Sequence, residues 1–332
     1  MRRCRNFLLA LSAALLLASA VRAEPPPCGG ASLTAALERD GRLAASLAAA
    51  AKTPNAEGLL WRIERPGVAP SHLFGTMHLT DPRAAVLPPL VRQALAGARS
   101  VALELAEIAD PQGAALIGQK VVEAALVPGG DSLGFLADAA ARRELEATIG
   151  EYGVSAEMAH QLQPWFLAVL VSLPVCEMAR QGAGLDTVDK LVAQGRPPGA
   201  RLVGLETPDE QVAALKAIDA GVAREALATV GRYRDRREDI YATLVDLYLQ
   251  RRIAALREVF VAGGLLTPAE VEAYAAMETA LRAERDPRMA ARALPLLEAG
   301  GAFIAVGALH LGGADGLVER FRRAGFSVTR VY

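Results

Sequence analysis

A run of uninterrupted apolar residues near the C-terminus, Gly301-Ala-Phe-Ile-Ala-Val306, constrains the fold more strongly than any other feature of the sequence. A strand of this composition is buried on both faces, and such strands are typical of sheets covered by helices on either side. Further short runs with strand character lie at 71–75, 100–105 and 201–205. We therefore predict an α/β fold in which many helices surround a mixed central sheet of short strands.

Turn residues and helical periodicity divide the remainder of the chain. Segments 58–65 and 71–75 flank Pro66-Gly67 and are predicted to form a β-hairpin. Helical periodicity dominates about 111–195 and 211–297, and we predict both segments to be helical insertions into the α/β domain.

The N-terminus predicts export. Residues 1–23 combine a basic start, an apolar stretch too short to span a bilayer and small residues before a cleavage position at Ala23, as in a signal peptide. An N-terminal arm at 24–55 follows, in which 33–51 is predicted as one amphipathic helix, and 56–332 forms the α/β domain. We therefore predict a periplasmic or secreted protein.

Two cysteines, Cys28 and Cys176, would remain after removal of the signal peptide. In an oxidising compartment they can form a disulfide. The alternative is a free Cys28 in the arm and an unpaired, buried Cys176, because pairing cannot be read from spacing. Both alternatives are open at this point.

The composition limits the classes of partner. Lys plus Arg number 36 and Asp plus Glu 37, so the chain lacks the excess of positive charge with which proteins bind nucleic acid. No segment after the signal peptide reaches the roughly 18 uninterrupted apolar residues of a membrane-spanning helix. We expect a mature protein without stable membrane insertion, whose partners are peptides or small molecules.

Two of the four histidines share one setting. Phe74-Gly-Thr-Met-His78 and Val306-Gly-Ala-Leu-His310 each leave an apolar strand through the pattern Gly-x-x-His. The glycine allows the backbone to turn sharply where the strand ends. Each imidazole is thereby expected at the carboxyl edge of the sheet, where ligands bind in α/β proteins. The repeated pattern also suggests two related halves of the domain. The other histidines, His72 and His160, are predicted to be structural.

Two glutamates, Glu104 and Glu206, end further apolar strands in Val-Ala-Leu-Glu and Val-Gly-Leu-Glu. A carboxylate in such a position is costly to bury without a partner. Glu104 could pair with an arginine in a structural ion pair, and Glu206 could interact with the N-terminus of the next helix, which the capping box from Thr207 to Glu210 begins. Each Gly-x-x-His histidine could likewise serve only to cap a turn.

These four side chains are suited to two kinds of chemistry if they converge. Two imidazoles with one or two carboxylates make a plausible set of ligands for a divalent metal ion that keeps one position open for water. Without metal, one histidine could act as a general base that a glutamate orients. Both routes activate water.

Five motifs resemble, in their order along the chain, those of TraB/GumN proteins: Gly75-Thr-Met-His78, Ala102-Leu-Glu104, Gly204-Leu-Glu-Thr207, Arg285-Asp286 and Val306-Gly-Ala-Leu-His310. This family includes the Tiki metalloproteases, and its wider clan includes erythromycin-esterase-like hydrolases, which use histidine and glutamate without an obligatory metal. The family often has Arg-Asn where this chain has Arg-Asp, which leaves the role of the aspartate open.

The resemblance implies a hydrolase with His78, Glu104, His310 and Arg285 as its catalytic residues and His78, His310, Glu104 and Glu206 as ligands of a divalent metal ion. Arg285 would contact an anionic group or a developing oxyanion. We hypothesise an exported, metal-dependent, peptidase-like hydrolase. The alternatives are a metal-independent esterase-like hydrolase and a non-catalytic protein that binds a ligand or partner in the same cleft.

Overall fold

The computed structural model describes residues 24–127, 129–136 and 138–332. The predicted signal peptide, 1–23, lies outside the described residues. Among the described residues, no helix has both the length and the apolar character required to cross a membrane.

A single mixed sheet of six strands forms the centre of the described structure. The strands are β1 (Leu60–Glu64), β2 (Ser71–Thr76), β3 (Ser100–Leu103), β4 (Arg201–Gly204), β5 (Ala302–Gly307) and β6 (Ser327–Arg330). Their order across the sheet is β4-β3-β5-β2-β1-β6. The predicted hairpin of β1 and β2 is confirmed, and β6 pairs antiparallel with β1.

Helices account for most of the remaining described chain. They are α1 (Leu33–Arg39), α2 (Leu43–Ala50), α3 (Pro89–Ala96), α4 (Pro111–Ala125), α5 (Ala139–Gly150), α6 (Ala156–His160), α7 (Pro164–Ser172), α8 (Val175–Gly182), α9 (Val188–Gln194), α10 (Pro208–Lys216), α11 (Ala220–Arg232), α12 (Arg237–Leu249), α13 (Leu256–Ala262), α14 (Pro268–Arg282), α15 (Arg285–Ala299) and α16 (Leu317–Arg323). Short 3-10 turns lie at Ala106–Ala109, Arg234–Arg236, Ile253–Ala255 and Ala308–His310. The predicted α/β class, with short strands in a mixed sheet and many helices, is confirmed.

Four neighbouring strands, β4, β3, β5 and β2, run parallel. Their carboxyl ends therefore meet at one edge of the sheet. In register, Thr76 of β2 is opposite Gly307 of β5, and Leu103 of β3 is opposite both Ala305 of β5 and Gly204 of β4. The residues that follow these positions are the predicted histidines and glutamates.

The central strand β5 is buried on both faces, as its uninterrupted apolar sequence predicts. Phe303 and Ala305 pack in one core with side chains of α3, α9 and α12. Ile304 and Val306 belong to a second core with side chains of α15 and α16. Because successive side chains of a strand point to opposite faces, one apolar strand anchors two helical layers.

The N-terminal arm contains two helices instead of the single predicted helix. α1 and α2 are separated at Gly41, whose positive φ of 69° is a conformation that glycine adopts readily and that ends a helix. Leu33 and Leu37 of α1 are buried with Leu247 of α12 and Phe260 of α13. The arm is therefore part of a packed core.

A disulfide joins Cys28 of the arm to Cys176 of α8. The same helix contributes two buried side chains that hold the loop after β2: Glu177 accepts the backbone N–H of Thr80 at 2.8 Å, and Arg180 donates to the carbonyl oxygen of Thr80 at 3.0 Å. The disulfide thus connects the arm to a helix that supports a loop at the carboxyl edge of the sheet.

Replacing Cys28 and Cys176 with serine should lower the free energy of unfolding by about 2–5 kcal/mol, because the disulfide restricts the unfolded chain between positions 148 residues apart. Urea denaturation followed by circular dichroism measures this change. Dithiothreitol should shift the wild-type transition to that of the double variant and leave the variant unchanged. Identical transitions of the oxidised wild type and the variant would contradict the disulfide.

Candidate active site

The parallel strands bring the predicted residues to one place. β2 and β5 are neighbours, so the loops that follow them carry His78 and His310 to adjacent positions. β3 pairs with the other side of β5, and Glu104 follows it directly. Gly307, at the end of β5, donates its backbone N–H to Oε1 of Glu104 at 2.6 Å. This hydrogen bond fixes the carboxylate between the two loops.

Both histidines face the same carboxylate oxygen. Nε2 of His310 lies 3.7 Å and Nε2 of His78 lies 4.0 Å from Oε1 of Glu104. The side chain of His78 is 60% exposed, whereas those of His310 and Glu104 are 7% and 8% exposed. The site is therefore open to solvent on the side of His78 and closed on the side of His310.

An aspartate holds each imidazole through a hydrogen bond at Nδ1. Nδ1 of His78 is 2.7 Å from Asp189, which also accepts the hydroxyl of Thr76 at 2.5 Å. Nδ1 of His310 is 2.5 Å from Asp286, whose other oxygen accepts from Nε of Arg282 at 3.1 Å. An ionised carboxylate only accepts, so both Nδ1 atoms carry the proton in these hydrogen bonds. In the neutral imidazoles, the Nε2 atoms then present lone pairs toward Glu104.

Asp189 is a residue that sequence reasoning misses. It lies in the first turn of α9, where acidic side chains are common because they interact favourably with the helix dipole. It is also 111 residues away from His78 in the sequence. The sequence drew attention to Asp286, because the family often has asparagine at this position, but it did not indicate a role for the aspartate. The structure gives Asp286 the same relation to His310 that Asp189 has to His78.

Arg285 links the two glutamates. Its Nη2 donates to Glu104 at 2.7 Å and to Glu206 at 2.7 Å, and its Nε donates to both oxygens of Glu206. Gln211 donates to both carboxylates as well, and Arg288 lies 3.5 Å from Glu206. These contacts favour a part for Glu206 in positioning Arg285, and they give no support to its prediction as a metal ligand.

The charges of the site shift two pKa values. Burial raises the pKa of Glu104, but electrostatic interactions with His310, His78 and Arg285 and the hydrogen bond from the Gly307 N–H outweigh it and lower that pKa to about 2. The charge of Asp189 and its hydrogen bond to Nδ1 raise the pKa of His78 to about 9. At neutral pH and without a bound cation, Glu104 is therefore ionised and His78 is protonated.

A cleft of about 390 Å³ opens over these residues, and this volume is within the range of about 300–1,000 Å³ that is usual for ligand sites. His78, Glu104, Arg285 and His310 form its polar floor, while its walls are mostly apolar. The remaining histidines lie elsewhere: His72 is within β2, and His160 pairs with Asp131 and Glu146.

Comparison with known families supports the motif resemblance. A family model described as the TraB/PrgY/gumN family matches residues 59–330, which is most of the chain. The chain belongs to this family. The TraB/PrgY/gumN match extends over all six strands and includes every residue of the site, whereas the whole arm, 24–55, precedes it. Searches of curated proteins and of solved structures gave no significant match.

Replacing Arg285 with methionine should lower the free energy of unfolding by about 3–5 kcal/mol, because two buried carboxylates, Glu104 and Glu206, would lose their shared cation. The matched control is Arg292→Met on the same helix, where the arginine is 40% exposed and pairs with Glu210, and its expected cost is about 0–1 kcal/mol. Urea denaturation of both variants measures the difference. Equal losses would contradict the assignment of Arg285 as the cation that compensates the site.

Proposed function

We propose that this TraB/PrgY/gumN protein is a hydrolase that activates water between His78, His310 and Glu104 for attack on a carbonyl carbon. The observation that carries the proposal is the convergence of two Nε2 atoms on one oxygen of Glu104, with each Nδ1 held by its own aspartate. A histidine that serves only to cap a turn does not require such a partner on both sides of its ring.

The donor atoms suit a divalent metal ion. Each histidine donates its Nδ1–H to a carboxylate, which is the usual arrangement of metal-binding imidazoles. Nε2 of His78, Nε2 of His310 and Oε1 of Glu104 would hold the ion and leave a position for water. Among the described residues, no three His, Cys, Asp or Glu side chains are already close enough to bind a metal, so these side chains would close on the ion. A bound divalent ion would supply Lewis-acid activation of water.

The residues have separate tasks in this proposal. Asp189 and Asp286 orient the imidazoles through Nδ1. Both oxygens of Glu104 already accept N–H groups, so Glu104 orients water as a fixed acceptor. In the metal-independent route, Nε2 of His78 would carry no metal, and this exposed histidine of the cleft would donate a proton to the leaving group.

Arg285 is placed to stabilise negative charge on the substrate. Its guanidinium lines the cleft, and within the described part of the chain its hydrogen bonds to Glu104 and Glu206 use Nε and Nη2. Nη1 is thus left to donate to the oxyanion that forms when water attacks a carbonyl.

The same proposal places the protein outside the cytoplasm. The basic and apolar start of the sequence supports export, and the Cys28–Cys176 disulfide supports an oxidising compartment. The periplasm and the extracellular medium both meet this condition.

Replacing either site histidine with alanine should reduce hydrolysis about 100-fold or more, since each residue orients or protonates a reacting group. Rates on a peptide library and on para-nitrophenyl esters measure this effect for His78→Ala and His310→Ala. The chain supplies matched controls in His72→Ala and His160→Ala, which lie outside the cleft. Wild-type rates in both site variants would overturn the assignment.

Metal removal separates the possible routes to water activation. The metal-dependent route predicts about one divalent ion per chain, loss of hydrolysis with a chelator and recovery on adding the ion. Asp189→Asn and Asp286→Asn should weaken metal affinity about 10–100-fold. Hydrolysis that survives the chelator but not loss of the histidines would assign the metal-independent route, in which the two histidines and Glu104 act on water and substrate without a metal. A protein that binds no metal and hydrolyses no substrate would favour the alternative of a non-catalytic binding protein.

A further inference from the structure

The walls of the cleft are mostly apolar, although Tyr274, Glu278 and Arg282 also line it. Side chains from α7, α12, the 3-10 turn at Ile253–Ala255 and α14 surround the opening over His78. Those that line it include Val169, Leu173, Leu244, Ile253, Met277 and Leu281. Val169 remains 47% exposed, which is costly for a wall that stays in contact with water. The apolar lining of the cleft is therefore suited to bind an apolar group next to His78 and His310.

A second cavity of about 190 Å³ adjoins the cleft. It lies among α11, α12, α13 and α14, and its lining includes Ala226, Ile240, Phe260, Leu265, Leu266 and Ala273. Ser172, Tyr274 and Met277 line both this cavity and the cleft over the site. These three side chains therefore lie between two adjoining, mostly apolar chambers.

A peptide is poorly matched to these chambers. A peptide backbone carries an N–H and a carbonyl at nearly every residue, and each needs a partner when it is buried. The exposed sheet edges that could pair with a peptide are β4 and β6, and neither strand lines the cleft. The hydroxyl of Thr76 already donates to Asp189, and that of Ser172 donates to Val169.

We propose that the two chambers bind the acyl chain of a fatty-acyl ester, with the ester carbonyl at His78 and His310 and the chain running past Met277 and Tyr274 into the second chamber. An unbranched acyl chain buries apolar surface along its length and carries one carbonyl at its end, which matches apolar walls over a polar floor. The hydrolytic part rests on the proposed function, in which water adds to the ester carbonyl, the acyl–oxygen bond breaks and the alkoxide leaves with a proton. The binding part does not.

Binding is tested with the reaction product, so that it does not depend on catalysis. Isothermal titration calorimetry of the full mature protein should detect dodecanoate binding and a gain of up to about fourfold in affinity per methylene from hexanoate upward. The double variant His78→Ala/His310→Ala should still bind dodecanoate. Failure of the wild type to bind dodecanoate would overturn the inference.

Chain-length preference is tested with para-nitrophenyl acetate, butyrate, octanoate and dodecanoate. Met277→Trp adds bulk between the two chambers and Ala273→Leu fills the second chamber, so each should lower the ratio of dodecanoate to acetate hydrolysis by about tenfold or more. The matched control Ala276→Leu changes an exposed position of the same helix and should keep the wild-type ratio. Because the measure is a ratio within one protein sample, a general loss of folded protein does not imitate the effect.

The outcomes separate the two proposals. Dodecanoate binding that both Met277→Trp and Ala273→Leu weaken, without hydrolysis of any ester or peptide, keeps the acyl-chain site and overturns the hydrolase. Unchanged ratios of dodecanoate to acetate hydrolysis together with unchanged dodecanoate binding in both Met277→Trp and Ala273→Leu would overturn the acyl-chain site. Cleavage of peptides by a protein that does not bind dodecanoate would overturn it as well. Fatty-acid release from dioleoylphosphatidylcholine vesicles would identify a membrane lipid as the source of the ester, whereas release from the soluble esters alone would identify a soluble one.

Discussion

The buried carboxylate of Glu104 is the constraint on which the rest of the site depends. An isolated ionised carboxylate in such a place is unstable, so the fold must surround it with donors and positive charge. Gly307, Arg285 and Gln211 supply the donors, and both histidines direct Nε2 to the remaining side. The requirement of one carboxylate thus explains why residues from β3, β5, α10 and α15 meet at one edge of the sheet.

Sequence reasoning reaches the parts of the site that depend on strand ends. A strand that ends in Gly-x-x-His or in glutamate places its polar residue at a definite edge, so His78, Glu104 and His310 could be predicted to meet once the strands were taken as parallel neighbours. Asp189 could not be found in this way, because it reaches His78 only through the docking of α9 on the sheet. The side on which a helix packs is a tertiary property, and the local sequence of α9 shows only an ordinary first turn.

The N-terminal arm is connected to the site through a disulfide and hydrogen bonds, and this connection also could not be predicted from the sequence. Through the disulfide it is joined to α8, and Glu177 and Arg180 of that helix hold Thr80, two residues after His78. Arg180 also donates to the carbonyl oxygen of Pro25 in the arm. The arm therefore restrains the most exposed residue of the site although the two lie far apart in the sequence.

Helix α15 contributes polar residues to the cleft, and helix α14 contributes residues to its apolar walls. α15 begins with Arg285 and Asp286, which serve the polar floor, whereas α14 contributes Tyr274 and Met277, which lie between the two chambers. Arg282, the last residue of α14, bonds to Asp286 and so fixes the two helices relative to each other. Side chains in the middle of α14 can consequently change the shape of the chambers while the polar contacts of the floor stay intact. In the proposed hydrolase, selection among substrates and activation of water would thus depend on different residues of one helical pair.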